Sequence, residues 1–308
     1  MGIGRSLLLA AAKSDALNRF ATRSAVVRRA TKAFMPGEKM DDGLAAGTAI
    51  ADSGRKLLYT RLGEALTRAE DAVPVREHYL QLFDAIKARG LPAEVSVKPT
   101  QLALDQSMDL CVEHCLALAA KAESVGSALW LDMEDHTYVD RTIDLYRRVR
   151  AVHGRAGLAM QAYLYRTMDD LEALLPVKPT IRLVKGAYAE PANVAYPKKA
   201  DTDAAFERLA QRMLQAAREE ACTPILGTHD IPMLRRIVAQ ARTLGVPQGR
   251  YEVHMLYGIR EREQMQLRGE GETVATLISY GDAWYRWYMR RLAERPANVG
   301  FVVRSMFS

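Results

Sequence analysis

Residues 181–188 read IRLVKGAY. An apolar pulse of strand length carries an arginine in its middle and runs directly into a lysine and a glycine. Strands of a parallel sheet are covered on both faces and are expected to be almost purely apolar. Arg182 and Lys185 are therefore out of place as packing. Seven comparable runs flank this one, at 57–61, 95–98, 129–132, 158–162, 225–228, 251–255 and 274–278. Between them, segments such as 106–123, 142–152, 168–175, 204–220 and 232–244 carry the helical period. Strand and helix alternating eight times predicts an α/β chain closed into a parallel (βα)8 barrel. An open, doubly wound sheet is the alternative, but no G-x-G-x-x-G follows any of these strands. Residues 1–50 read as a helical extension, broken near Met35-Pro36-Gly37 and Asp41-Asp42-Gly43, and residues 51–308 as the barrel.

The other runs end as oddly as the first. The second closes VSVK, the third WLDME, the fourth AMQAY and the sixth LGTHD, so that Lys98, Asp132, Gln161, Arg182, Lys185 and His229 stand in or just beyond the strands, toward their C-terminal ends. Burying one unpaired charge costs about several kcal/mol, comparable with the stability of a whole domain. A single such residue is explained by a structural ion pair. Six at one end of successive strands point to the catalytic mouth of a barrel. Arg182, Lys185 and His229 supply donors and positive charge, Gly186 lets a ligand approach the backbone, and Thr228 adds a polar contact. The set suits an anionic cofactor with a phosphate-bearing tail. Asp132 is the main negative charge there, with Lys98 as its natural partner. Glu134 and Asp135 read as part of the following loop.

Metal chemistry finds little support. There is no HxH, no second strand-end carboxylate and no histidine cluster, and Cys111, His114 and Cys115 lie in an apolar helical run without a matching second half. No metal site is expected. Three cysteines form no disulfide framework and suit a reducing compartment. The net charge of +6 mildly favours anionic partners, yet no run of five or more Lys or Arg occurs, which argues against nucleic acid. No apolar run approaches the roughly 18 residues of a spanning helix. The start, MGIGRSLLLAAAKSDALNRF, weakly matches a signal peptide and a myristoylation pattern, but its periodicity continues as an amphipathic helix. The reading is cytoplasmic.

Residues 284–298, WYRWYMRRLAERPAN, form a last helix with aromatics ahead of Arg290 and Arg291. Trp287 and Arg291 are four apart and share a face. Two guanidinium forks beside flat rings can grip a small carboxylate bidentately while the rings exclude water. Alone, the same stripe reads first as an amphipathic packing helix, since most such stripes are packing.

Taken in order, LGE (62–64), VSVKPTQL (95–102), LDMED (131–135), QAYLYRT (161–167), RLVKGAY (182–188), THD (228–230), LYG (256–258) and RRLAERPAN (290–298) resemble the flavin-dependent proline dehydrogenases, especially the short monofunctional bacterial kind. The resemblance runs from about residue 57 to residue 298. It implies a distorted (βα)8 TIM barrel that holds FAD noncovalently at the strand C-termini, with the last helix over the mouth. By analogy Arg290 and Arg291 grip the proline carboxylate, and Glu64 pairs with Arg290. Lys98, Tyr188 and Leu256 line the substrate pocket, and Asp132 lies by the substrate and the isoalloxazine. Arg182 lies near flavin N5, while Met133, Gln161, Lys185, Gly186, Ala187, Thr228, His229 and Glu294 match FAD-contacting positions. The implied reaction is oxidation of L-proline to Δ1-pyrroline-5-carboxylate by hydride transfer to flavin N5. Electrons then pass to a membrane quinone, with peripheral contact at the inner membrane face, and a pyrroline-5-carboxylate dehydrogenase acts downstream.

Two positions depart from the family pattern. Leu277 stands where the family has a tyrosine beside the arginine clamp, and Tyr280, an odd number of residues on, is expected on the opposite strand face. His254 stands where the family usually has a glutamine near the flavin. These changes leave 4-hydroxyproline as an alternative substrate. A colourless barrel aldolase or isomerase using Lys98 or Lys185, and a basic binding module, are the rival classes.

Overall fold

The computed structural model describes residue 31, residues 33–63 and residues 65–285. Glu64, Arg290, Arg291, Glu294 and the last helix with its place over the mouth lie outside the described residues, as does most of the N-terminal extension. Eight parallel strands close in sequence order into one barrel. They are β1 (Lys56–Arg61), β2 (Ala93–Val97), β3 (Leu129–Leu131), β4 (Ala156–Gln161), β5 (Thr180–Val184), β6 (Thr223–Gly227), β7 (Glu252–Leu256) and β8 (Val274–Tyr280). Closure runs through β8 and β1, paired from Lys56↔Ala275 to Arg61↔Tyr280. All eight expected strands are present, displaced by two residues or fewer at either end.

Helices occupy the expected intervals: α3 (Met108–Ser124), α4 (Val139–Val152), α5 (Thr167–Leu174), α6 (Lys199–Arg218) and α7 (Ile231–Thr243). In α7, Asp230 accepts a hydrogen bond from Met233 N at 3.2 Å and Pro232 sits in the first turn, both favourable at a helix start. Its buried Met233, Leu234, Ile237, Val238 and Ala241 make one stripe against the barrel. Two more helices, α2 (Ala72–Ala88) and α8 (Glu261–Gly269), complete the alternation where sequence periodicity is weak. In α8, reading EREQMQLRG, only Gln264 and Leu267 are buried.

The N-terminal region brings a correction. Asp41-Asp42-Gly43 breaks nothing: it forms the first turn of α1 (Met40–Ala51). The two carboxylates favour the positive end of the helix, and Asp42 accepts from Lys39 N at 3.0 Å. Gly43 and Gly47 are there for close approach. A Cβ on Gly43 would lie 3.1 Å from the Tyr280 ring, and one on Gly47 would overlap Tyr59 Oη. Residue 50 thus falls inside a helix that packs on the outer faces of β1 and β8.

Alternation along the strands separates two apolar cores. The larger lies between strands and helices and includes Leu57, Tyr59, Val95, Val97, Ile278 and Tyr280. The smaller, inside the barrel, is Leu58, Trp130 and Ile225, with Leu277 against it. Leu277 and Tyr280 therefore do face opposite sides of β8. Tyr280 is spoken for outside, its hydroxyl 2.8 Å from His78 Nε2 on α2.

That contact requires an unprotonated Nε2 if Tyr280 is the donor. Burial, and then the nearby charge of Arg61, push the His78 pKa down from 6.5 to about 4. Below pH 6.5 the unfolded chain binds a proton that the folded chain refuses. Stability from this group is therefore complete above 6.5 and declines as the pH falls toward about 4. Thermal unfolding from pH 7 to pH 4 is expected to show a shallower decline for His78→Gln than for the parent. Parallel profiles would rule His78 out as the source.

Candidate functional site

The strand ends bring Asp132 and Arg182 together over the barrel interior. Arg182, on β5, is 4% exposed and forms an ion pair with Asp132 through Nη2. Ser96, fully buried on β2, joins both: its Oγ donates to Asp132 Oδ1 at 2.7 Å and accepts from Arg182 Nη2 at 3.0 Å. The guanidinium carbon also lies 5.0 Å from the centre of the Trp130 ring, a cation–π distance. Asp132, for which the sequence suggests Lys98 as partner, is thus bonded to Arg182. Although β2 and β3 run level, Ser96 beside Trp130 and Val97 beside Leu131, Lys98 turns into the short helical segment Pro99–Leu102 and lends its charge to Glu134. Arg182 reaches Asp132 from β5, past the intervening strand β4.

Glu134 has a role the sequence reading left unassigned. Its carboxylate accepts from Thr100 N at 3.2 Å and Thr100 Oγ1 at 2.9 Å, tying the loop after β3 to the segment just past Lys98. Burial raises its pKa, against the lowering effect of the Thr100 bonds and Lys98. Glu190 is a second such carboxylate, its side chain 3% exposed. It accepts from His136 N at 2.9 Å and from Tyr163 Oη at 3.1 Å, and pairs with the His136 ring, so one group gathers the loops after β3, β4 and β5.

Lys185 lies between two carboxylates, Asp203 at 2.6 Å and Asp230 at 3.0 Å. Burial works to raise both carboxyl pKa values, but the Lys185 bonds and charge prevail and hold them below the ordinary range. Lys185 is thus aimed by its neighbours while remaining about a quarter exposed. Gly186 follows in a left-handed conformation, φ +116°, where a Cβ would overlap the Tyr163 ring. Ala187 and Tyr188 continue that loop, both half-buried. Thr228 Oγ1 accepts from Asp230 N at 3.3 Å in the turn into α7. His229 Nε2 accepts from Leu256 N at 2.9 Å, so that nitrogen carries no proton.

Two of the expected residues sit deeper. The Met133 side chain is 8% exposed and packs into the outer apolar core. His254 is 4% exposed, with its ring 5.6 Å from that of Trp130 in an edge-on arrangement. Leu256 and Leu277 are register partners on β7 and β8 and are both half-buried.

Among the described residues, the buried polar atoms without a partner toward this end include Gln161 Oε1 and Arg182 Nη1, together with Thr60 Oγ1 on β1 and Gln101 Nε2 after β2. Buried polar groups are nearly always bonded, so unsatisfied ones at the ends of adjacent strands β4 and β5 mark where a polar ligand completes the structure. The glycine cradle at Gly186 and the oriented Lys185 beside it fit a large anionic ligand. Among the described residues no group of three or more His, Cys, Asp or Glu is arranged to hold a metal ion, and no helix is long and apolar enough to cross a membrane.

A closed parallel barrel with such a mouth is the architecture of an enzyme. A family model described as proline dehydrogenase matches residues 44–304. Proline dehydrogenase 1 of Bacillus subtilis subsp. natto is 33% identical over 305 residues, covering 98% of each chain. Proline dehydrogenase of Deinococcus radiodurans is 34% identical over 278 residues, covering 89% of this chain and 88% of its own. The fold is matched by the crystal structure of proline utilization A (PutA) from Bdellovibrio bacteriovorus inactivated by N-propargylglycine. Its TM-score is 0.82 at 20% identity, covering 95% of this chain and 38% of that one. The chain belongs to the proline dehydrogenase family, and its chemistry is that of an oxidoreductase.

Glu134→Ala leaves Thr100 N without its acceptor. Thermal unfolding is expected to show a loss of about 1–3 kcal/mol. Steady-state kinetics should show KM for proline raised on the order of tenfold, about 1.4 kcal/mol of binding, because Lys98 is two residues from the released group. An unchanged KM would separate Glu134 from the substrate site.

Proposed function

We propose that this chain oxidises L-proline to Δ1-pyrroline-5-carboxylate with FAD held noncovalently at the barrel mouth. The observation that carries the reading is that Gln161 Oε1 and Arg182 Nη1, buried on adjacent strands, have no partner among the described residues, while Arg182 is paired with Asp132. Gln161, Arg182, His254 and the backbone near Met133 would hold the ring system. Lys185, Gly186, Ala187, Thr228 and His229 would hold the rest of the cofactor, with Glu294 beyond the described residues. Bound there, FAD supplies the acceptor for the hydride that leaves proline C5.

The chain's own residues do the positioning. Arg290 and Arg291 fix the carboxylate, and Glu64 pairs with Arg290 to close the site, all three by family resemblance. Lys98, Asp132, Tyr188, Leu256 and Leu277 form the pocket. Holding one ring in one pose makes the transfer effectively unimolecular. Arg182, a fixed cation in a partly desolvated site, stabilises negative charge developing next to it, and Asp132 with Ser96 anchors one nitrogen of its fork. The substrate amine reacts in its neutral form, so turnover rises with pH until the amine is deprotonated. Electrons leave for a membrane quinone, which calls for peripheral contact at the inner membrane face. A pyrroline-5-carboxylate dehydrogenase consumes the product.

Leu277 favours proline over 4-hydroxyproline. It packs with Leu58, Trp130 and Ile225, an apolar surface that offers a substrate hydroxyl no partner. The purified protein is expected to be yellow. Its kcat/KM should favour proline over trans-4-hydroxyproline by about 10- to 100-fold, what an apolar wall can impose. A colourless protein that stays inert toward proline when FAD is added would overturn the flavin reading. A preference for trans-4-hydroxyproline or pipecolate would overturn the substrate.

A further inference from the structure

Beneath the Asp132–Arg182 pair the barrel interior holds an indole whose relation to the guanidinium no step above uses. Trp130 is 2% exposed. Its upper surroundings include the guanidinium of Arg182, 5.0 Å from the ring centre. Its Nε1 donates to Glu94 Oε2 at 2.6 Å, and His254 lies edge-on to it at 5.6 Å. The neighbouring strand makes room for it. Gly157 is the register partner of Trp130, and a Cβ there would lie 2.5 Å from Trp130 Cε3 and 2.6 Å from Cζ3. Gly157 has no positive φ to explain the choice of glycine. What it provides is space for a large flat ring.

We infer that Trp130 is a positioning residue for Arg182: its indole, clamped by Glu94 and accommodated by Gly157, is the seat that fixes the guanidinium fork. A guanidinium at the end of a long side chain is fixed only if its plane as well as its nitrogens is constrained. Ser96 and Asp132 both hold the single nitrogen Nη2. Such a hinge leaves the plane free to rotate and Nη1 free to wander. A ring against the guanidinium removes that rotation, because a cation stacks on an aromatic face. Nη1 is then held, unpartnered, in the position where a ligand atom meets it. This inference rests on the proposal that Arg182 serves a bound flavin.

The test is a set of variants read by kinetics, by the reduction potential of the bound flavin, and by thermal unfolding. Trp130→Leu removes the aromatic face, Trp130→Phe keeps a face but loses the Glu94 bond, and Gly157→Ala pushes the indole off its place without touching it chemically. Misplacing a group that acts on the reacting centre costs up to about 100-fold. Trp130→Leu is expected to lower kcat by about 10- to 100-fold, with a smaller change in KM for proline and a more negative flavin potential. Trp130→Phe should recover part of both. Gly157→Ala should lower kcat in the parent and do nothing further in Trp130→Leu, because its only effect passes through the indole. Unchanged kcat and potential in Trp130→Leu, in a yellow protein, would overturn the seat. So would equal effects of Gly157→Ala in both backgrounds, which mark general repacking. Should the protein be colourless, the flavin reading falls separately. The seat is then judged on a Trp130→Leu/Arg182→Met cycle of unfolding free energies, where non-additive losses support it and additive ones overturn it.

Discussion

A cation is buried inside this barrel, and the arrangement of its upper half follows from that. Taking an ion pair out of water costs more than its attraction returns unless its remaining hydrogen-bonding positions are filled. Arg182 meets that condition only in part. One nitrogen is bonded to Asp132 and Ser96, the aromatic face of Trp130 lies against the group, and the other terminal nitrogen is left unpartnered. A chain selected for stability alone would place an aliphatic residue at Arg182, as at its interior neighbour Ile225. Keeping an incompletely satisfied cation in the packed middle of a barrel makes sense only if something that binds there completes it.

Carboxylates organise the rest of the mouth, each in a different way. Glu134 fastens the loop after β3 to the segment after β2, and Glu190 collects the loops after β3, β4 and β5. Asp203 and Asp230 hold Lys185 from α6 and from the cap of α7. Loops are ordinarily the mobile part of a barrel. Here buried acceptors cross-link successive loops, so groups from five strands keep fixed positions relative to one another. Preorganisation of this sort is what lets a charged site act without reorganising when a substrate arrives.

The fold was legible because parallel strands impose near-continuous apolar runs and the barrel repeats that signal eight times. Violations of the rule exposed the mouth, and Asp132, Gln161 and Arg182 stand out for that reason alone. Ser96 and Trp130 break no rule: a small polar residue and an aromatic in a strand are ordinary, and their importance arises only once closure brings β2, β3 and β5 face to face. Glu134 and Glu190 look like loop acids until their partners, far away in sequence, are known. The bond of Asp132 to Arg182 stayed hidden for a related reason. Adjacent strands suggest neighbours, but long side chains in a barrel meet across its interior. Asp41-Asp42-Gly43 misled in another way, since the same residues that favour turns also favour the first turn of a helix.

The lower barrel shows how the polar interior is made tolerable. Lys56 bonds to Glu252 at 2.5 Å, and Glu252 also meets the His254 ring at 3.4 Å. Burial alone would raise the Glu252 pKa, but the bond and charge of His254 and the charge of Lys56 pull it down to about 2, so the carboxylate stays ionised through the physiological range. Glu94 adds a second carboxylate at this level and is spent on the indole of Trp130. Negative charge at the base and the cation of Arg182 at the mouth are therefore separated by one aromatic layer, Trp130 with His254 edge-on to it. An aromatic ring bonded through its N–H to a carboxylate below presents a more electron-rich face to a cation above. Glu94 thereby strengthens the contact with Arg182 without competing with Asp132 for the guanidinium.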